Sequence, residues 1–246
     1  MSRAAAPGRP KQGPTLSEGR APYPATGELS FAAQREEICR VGRSLFERGH
    51  VHATAGNISV RVDDGFLITP TDACLGSLRP DQLVLTDVDG RPLSDAAPSK
   101  TLALHRAIYA ADPTAQCVIH THSTELVALT LEGVWHTDAI LPPITPYFVM
   151  KVGRVPLIAY HRPGDPRVAE LVAAEIANAR EREQPLRAVL LDRLGPNVWH
   201  TSPGAALATL EELEETARLW LMSQPRPEPL TDAQLDDLRQ HFGARW

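Results

Sequence analysis

The sequence predicts a mixed α/β protein in which one central mixed β-sheet lies between helical layers. Three observations carry that expectation. Short runs of Val, Ile and Leu alternate with longer stretches whose apolar residues recur at helical spacing. Two such runs, 58–62 and 66–69, are separated only by Asp63-Asp64-Gly65, a hairpin signal that brings in antiparallel pairing. The chain has 246 residues, 43% of them hydrophobic and 22% charged, enough for one large domain with a sizeable core.

Residues 1–28 are rich in Pro, Gly, Ala, Ser and Arg without apolar periodicity, so they read as a disordered N-terminal tail. Residues 29–246 read as a single domain. Ser30 is the expected N-cap of a helix carrying Phe31, Ile38, Val41, Leu45 and Phe46 on one face and ending near Gly49. Thr54-Ala55-Gly56-Asn57 is a tight turn into the strand 58–62, and 66–69 returns as its hairpin partner. Leu83-Val84-Leu85-Thr86 is a further strand, closed by Asp89-Gly90. Pro98-Ser99 precedes a helix through Leu102, Leu104, Ala107, Ile108 and Tyr109 that stops at Asp112-Pro113.

Next comes Cys117-Val118-Ile119-His120-Thr121-His122, an apolar strand ending in two histidines. Alternate side chains of a strand point the same way, so His120 and His122 stand side by side. Such a pair can hold a divalent metal at about 2.0–2.1 Å per Zn–N bond. Ser123-Thr124 opens a helix around Leu126, Val127 and Leu129, and a Pro-rich crossing, 141–146, follows. Apolar segments lie around Val149 and at 155–158. Asp165 caps a helix over 166–180, with Pro166 at its first position. A buried strand at 188–191, a long helix from Pro203 to about Ser223 and a short helix capped by Thr231 complete the chain.

A net charge of −5 offers no general attraction to nucleic acid or acidic membranes. No apolar run is long enough for a membrane span, and no apolar segment near the N-terminus reads as a signal peptide. Three cysteines without a CxxC pair fit reduced thiols, and the expected location is cytoplasmic.

The order of Gly-Asn-Ile-Ser (56–59), Ile-Thr-Pro-Thr (68–71), Pro-Ser-Lys (98–100) with His105, His120-Thr121-His122, Pro146-Tyr147 and Glu-Glu-Leu-Glu-Glu-Thr-Ala (211–217) resembles the class II aldolase/adducin family. Within that family it is most similar to the branch of 3-oxo-tetronate 4-phosphate decarboxylases. The resemblance spans about residues 31–238. It implies a class II aldolase-like three-layer fold, a homotetramer with sites between subunits, and a small anionic substrate. It also implies a divalent metal, commonly zinc, held by three histidines, the first two falling on His120 and His122. Gly56, Asn57, Thr71, Ser99 and Lys100 fall on positions that bind the substrate's phosphate and nearby oxygens. Tyr147 falls on a catalytic tyrosine that donates a proton at a neighbouring subunit's site.

Three positions depart from the family pattern. Thr101 stands where the catalytic glutamate is expected, and a hydroxyl cannot act as a carboxylate base near neutral pH. Leu194 stands where the third metal histidine is expected, and Asp72 where the phosphate loop has glycine. Asp192, His136, His161 and His200 are the candidates to complete a metal shell, with iron or manganese as alternatives to zinc. The expected activity is carbon–carbon lyase chemistry on a small keto sugar acid or its phosphate. Decarboxylation is favoured over aldol cleavage because loss of CO2 needs no base to deprotonate a hydroxyl. A non-haem iron oxygenase and a non-catalytic family member are the alternatives.

Overall fold

Alternation along one strand sorts the molecule into its layers. The computed structural model describes residues 30–246, so the tail expected at 1–28 lies outside the described residues. In β4 (Cys117–His120), Cys117 and Ile119 enter one apolar core while Val118 enters another. The first core packs on α1 (Ala32–Glu47), α3 (Thr124–Glu132), α4 (Pro146–Lys151), α6 (Pro203–Met222) and α7 (Asp232–Phe242). The second packs on α2 (Leu102–Ala111) and α5 (Arg167–Glu181). His120, two residues on from Val118, therefore belongs to the α2/α5 face.

The remaining strands are β1 (Asn57–Val62), β2 (Gly65–Ile68), β3 (Val84–Asp87), β5 (Leu157–Ile158), β6 (Ala188–Leu191) and β7 (Gly195–His200). They form one seven-stranded sheet in the order β3-β2-β1-β4-β7-β6-β5. Every neighbouring pair is antiparallel except β5 with β6, which makes the sheet mixed as expected. The register sets Asn57 of β1 and Asn197 of β7 opposite His120, one on each side. Among the described residues no helix is long and apolar enough to cross a membrane. The three cysteines are free, with Cys39 and Cys117 buried.

Three local expectations are corrected. Ser30 does not cap α1. The residue before that helix is Phe31, in the left-handed region at φ 63°, and no side chain caps it. The buried Arg35 guanidinium instead binds the carbonyls of Ser30, Pro80 and Leu83 at 2.8–2.9 Å, so a tertiary anchor places the start of the helix. Helix α5 begins one residue later than expected, at Arg167, although Asp165 does accept the Arg167 N–H at 3.0 Å. Strand β7 is not among the elements assigned from the sequence, where Gly195-Pro196-Asn197 has the composition of a turn rather than of a strand. Its pairing on both edges, with β4 and β6, overrides that local chemistry.

Candidate active site

His120 closes β4 and is 4% exposed. Its Nδ1 lies 2.9 Å from the carbonyl oxygen of Pro196 on β7. A carbonyl only accepts, so Nδ1 carries the proton and Nε2 keeps a free lone pair. Burial, with His122 beside it, pushes the His120 pKa down to about 4, and the ring is neutral at pH 7. His122 is half-buried just past the strand end, its ring centroid 5.0 Å from that of His120. Its pKa is also lowered, first by burial and then by His52.

Two neutral imidazoles this close, one steered by a backbone carbonyl, fit two ligands of a divalent cation. Among the described residues no group of three or more His, Cys, Asp or Glu side chains is placed to hold a metal. The Leu194–Gly195 turn packs directly on the end of β4. A Cβ on Gly195 would meet the carbonyl oxygen of Thr121 at 2.2 Å, so only glycine allows that approach. Leu194 itself packs into the α2/α5 core.

Beside this pair lies a polar cradle. Thr101 Oγ1 donates to Asn57 Oδ1 at 2.8 Å, and Ser99 Oγ is 3.0 Å from Thr101 Oγ1. The backbone holds the two loops together: Ser99 N–H donates to Thr69 O and Thr71 N–H to Ala97 O, each at 3.1 Å. A Cβ on Gly56 (φ 83°) would meet the His120 carbonyl oxygen at 2.9 Å, so this glycine lets β1 enter against the histidine strand. Lys100 is exposed beside Ser99, and Thr71 is half-buried. Asp72 takes φ 55°, a left-handed conformation that aspartate tolerates, and its side chain is exposed.

Behind the cradle, His105 is fully buried with Nδ1 2.7 Å from Ser59 Oγ, while its Nε2 has no partner. Burial, with His120 adding to it, drives its pKa down to about 3. A cavity of about 120 Å³ opens between α2, the start of α5 and the ends of β4 and β7. His120, Asn197, Thr101 and Lys100 line it together with Leu104 and Leu194.

The structure gathers Gly56, Asn57, Thr71, Ser99, Lys100, Thr101, His120 and His122 at one end of the sheet. The other expected residues fare differently. Tyr147 is 61% exposed on α4 and does not line the His120 cavity. His200 pairs with Cys117, three residues down β4 from His120, and binds Arg187 and Thr201, so it sits at the wrong end of the sheet for a ligand. His136 is exposed and packs against Trp135. Asp192 and His161 do line the cavity, with His161 Nδ1 3.7 Å from Asp165 Oδ2.

Two residues near the site escaped the sequence reading. His52 has its ring centroid 6.4 Å from that of His122. The only signal for it was its place four residues before Gly56-Asn57. Asn197 is fully buried beside His120, and neither end of its amide has a partner. It was missed together with β7, where a lone polar residue precedes Val198-Trp199.

Comparison with known proteins decides the family. Residues 36–221 match the model of the class II aldolase and adducin N-terminal domain. This chain belongs to the class II aldolase and adducin family. It is 55% identical over 217 residues to a 3-oxo-tetronate 4-phosphate decarboxylase from Cupriavidus necator, covering 86% of this chain and 97% of that protein. It is 41% identical to the enzyme of that name from Escherichia coli K12, over 83% of this chain and 94% of the relative. The crystal structure of YgbL, described as a putative aldolase/epimerase/decarboxylase from Escherichia coli, superposes with a TM-score of 0.77 at 39% identity. That match covers 85% of this chain and 98% of the other. An L-fuculose 1-phosphate aldolase shares the fold at 22% identity and TM-score 0.72, over 87% and 98% of the two chains. The three-layer class II aldolase fold expected from the sequence is the fold observed.

Proposed function

We propose that this protein is a carbon–carbon lyase that decarboxylates a 3-oxo sugar acid bearing a terminal phosphate, the class named by 3-oxo-tetronate 4-phosphate. One observation carries the reading. The cradle residue Asn57 and the histidine His120 are directly opposite on adjacent strands. A four-carbon substrate can then have its phosphate in the cradle and its keto group at the histidines at the same time. Identity of 55% to a decarboxylase over nearly the whole relative supports it. With a relative of that kind, the oxygenase and non-catalytic alternatives are set aside.

In this reading Ser99, Asn57 and Thr71, with the backbone at Gly56, surround the phosphate oxygens, and Lys100 supplies the charge. Cleavage of the C1–C2 bond sends its electron pair toward the C3 oxygen and leaves an enolate plus CO2. His120 and His122 would hold a divalent metal, zinc by preference for an imidazole set. When bound, that metal supplies Lewis-acid stabilisation of the oxygen anion. The hydroxyl of Tyr147, exposed on α4, returns a proton to C2 at the site of a neighbouring subunit in a homotetramer. Thr101 needs no basic role, because no hydroxyl has to be deprotonated; it donates to Asn57 and keeps the cradle in shape. The domain 29–246 carries the activity, and the free thiols fit a cytoplasmic location.

The test is CO2 release from 3-oxo-tetronate 4-phosphate by the purified protein, with His120→Ala and Lys100→Ala alongside. Turnover in the wild type with loss in both variants is the expected result. Absence of CO2 release from this acid at saturating concentration would overturn the reading.

A further inference from the structure

The cavity beside His120 contains a feature that the phosphate cradle does not explain. Asn197 is 0% exposed, and neither its Oδ1 nor its Nδ2 has a hydrogen-bond partner. A buried amide with both ends unmatched is costly for the fold unless something else binds it. Asn197 is one of the residues around the cavity of about 120 Å³, many times the ~10–15 Å³ that a single water needs, with its amide sealed just beneath the surface. Leu104, Ile158, Val168, Leu191 and Leu194 give the cavity apolar lining as well. Lys100 and Arg162, both exposed, and Asp165 and Asp192 also border the cavity, so its charges are mixed. Asp165 is already engaged by the Arg167 N–H and lies near His161.

We infer that this cavity is the subsite for the substrate's C1 carboxylate, with the Asn197 amide as its hydrogen-bond donor and the leucine walls as its surroundings. The inference rests on the decarboxylase reading and deepens it. Asn197 and Asn57 flank His120 in register, so the acid end and the phosphate end of one small molecule lie on opposite sides of the same histidine. A neutral amide suits this task better than a buried cation, and the two cations that border the cavity, Lys100 and Arg162, are exposed. An arginine or lysine would bind the carboxylate best before reaction and would oppose its loss. The amide orients it, and the apolar walls favour the change from a charged carboxylate to uncharged CO2. As the C1–C2 bond breaks, its electron pair passes into C2–C3 and the negative charge moves to the C3 oxygen, away from the leucines. The enolate carbon is then protonated, from water or a tyrosine hydroxyl, to give the ketone phosphate.

Two probes separate this subsite from the rest of the site. Erythronate 4-phosphate retains the carboxylate and cannot react; dihydroxyacetone phosphate is the product skeleton without it. Calorimetric binding of both is measured for the wild type, Asn197→Val and Leu194→Phe. Asn197→Val suits a central strand and removes the unmatched amide, so its melting temperature should not fall. It should bind the acid at least about tenfold more weakly, as loss of a hydrogen bond to a charged group does. It should bind the ketone phosphate within about twofold of the wild type, a difference too small to report a lost contact. Leu194→Phe fills the cavity from a half-buried turn position and should show the same selective loss, which keeps the test valid if the strand variant does not fold. Equal weakening of both probes, or no weakening of either, overturns the inference. Absence of CO2 release by the wild type would overturn the decarboxylase reading separately, because the binding comparison needs no turnover.

Discussion

His120 donates its Nδ1 proton to the carbonyl of Pro196 at 2.9 Å, and that one bond decides what the ring can do. It leaves Nε2 unprotonated and holds the imidazole in a single orientation beside His122. Zinc titrated into the protein by calorimetry should therefore bind, and His120→Ala should abolish the binding. Leu194, on the turn packed against the end of β4, lines the same cavity as His120, and we propose it as the position for a third imidazole. Leu194→His should tighten zinc binding by at least ~tenfold. Unchanged affinity would place Leu194 outside the metal shell.

Thr101 and Asn57 supply a second prediction. Thr101→Val removes the 2.8 Å bond and leaves Asn57 Oδ1 without its donor. The cost should be about 1 kcal/mol, a drop of roughly 2–4 °C in Tm for a chain of this size. The Michaelis constant for the phosphorylated substrate should rise, while Thr101→Ser keeps both stability and binding. Equal behaviour of the valine and serine variants in thermal melts and steady-state assays would show that the hydroxyl does not position Asn57.

A third prediction concerns alkaline pH. Glu214 on α6 is 4% exposed and accepts the backbone N–H groups of Glu125 and Leu126 at 3.0 and 3.2 Å, at the start of the helix that follows His122. Burial, then its contact with the Glu125 carboxyl, pushes its pKa up to about 8, while Glu125 is held below its usual value. The pair thus keeps one proton, on Glu214. A folded pKa above the unfolded value means that the folded state binds more protons, so stability falls as pH rises toward 8. Between pH 6.5 and 8 the melting temperature should decline, and Glu214→Gln should flatten that decline. A slope unchanged in the glutamine variant would remove Glu214 as its source.

At acid pH the sign reverses. His105 and His120 have folded pKa values lowered to about 3 and about 4 by burial. Their stabilising contribution is complete above the unfolded value near 6.5 and is lost as pH falls through the range down to about 3. His105 is the cleaner probe, since its Nε2 has no partner to lose. His105→Phe should melt with less pH dependence than the wild type between pH 6 and 4. Parallel melting profiles would show that the acid sensitivity arises elsewhere.

Most elements were legible because local chemistry and tertiary structure agree for them. Asp63-Asp64-Gly65 makes the β1–β2 hairpin whatever surrounds it, and Thr231 closes a capping box with Gln234 at the start of α7. The motif order alone pointed to the family, and the His120/His122 pair followed from the two-residue period of a strand. Strand β7 was hidden because Gly-Pro-Asn favours a turn until two neighbouring strands supply its pairing. The same blindness hid Asn197.

What the sequence determined by itself was therefore most of what near neighbours in the chain set: periodicity, turn chemistry, and which residue types were present to bind a phosphate or a metal. Only the tertiary structure decided which of them meet. Register across β1, β4 and β7 put Asn57, His120 and Asn197 in one row and excluded His200 by placing it at the opposite end, while the packing of α4 left Tyr147 at the surface. Register is set by pairing between segments roughly 60 to 80 residues apart, and no local propensity encodes distances of that kind.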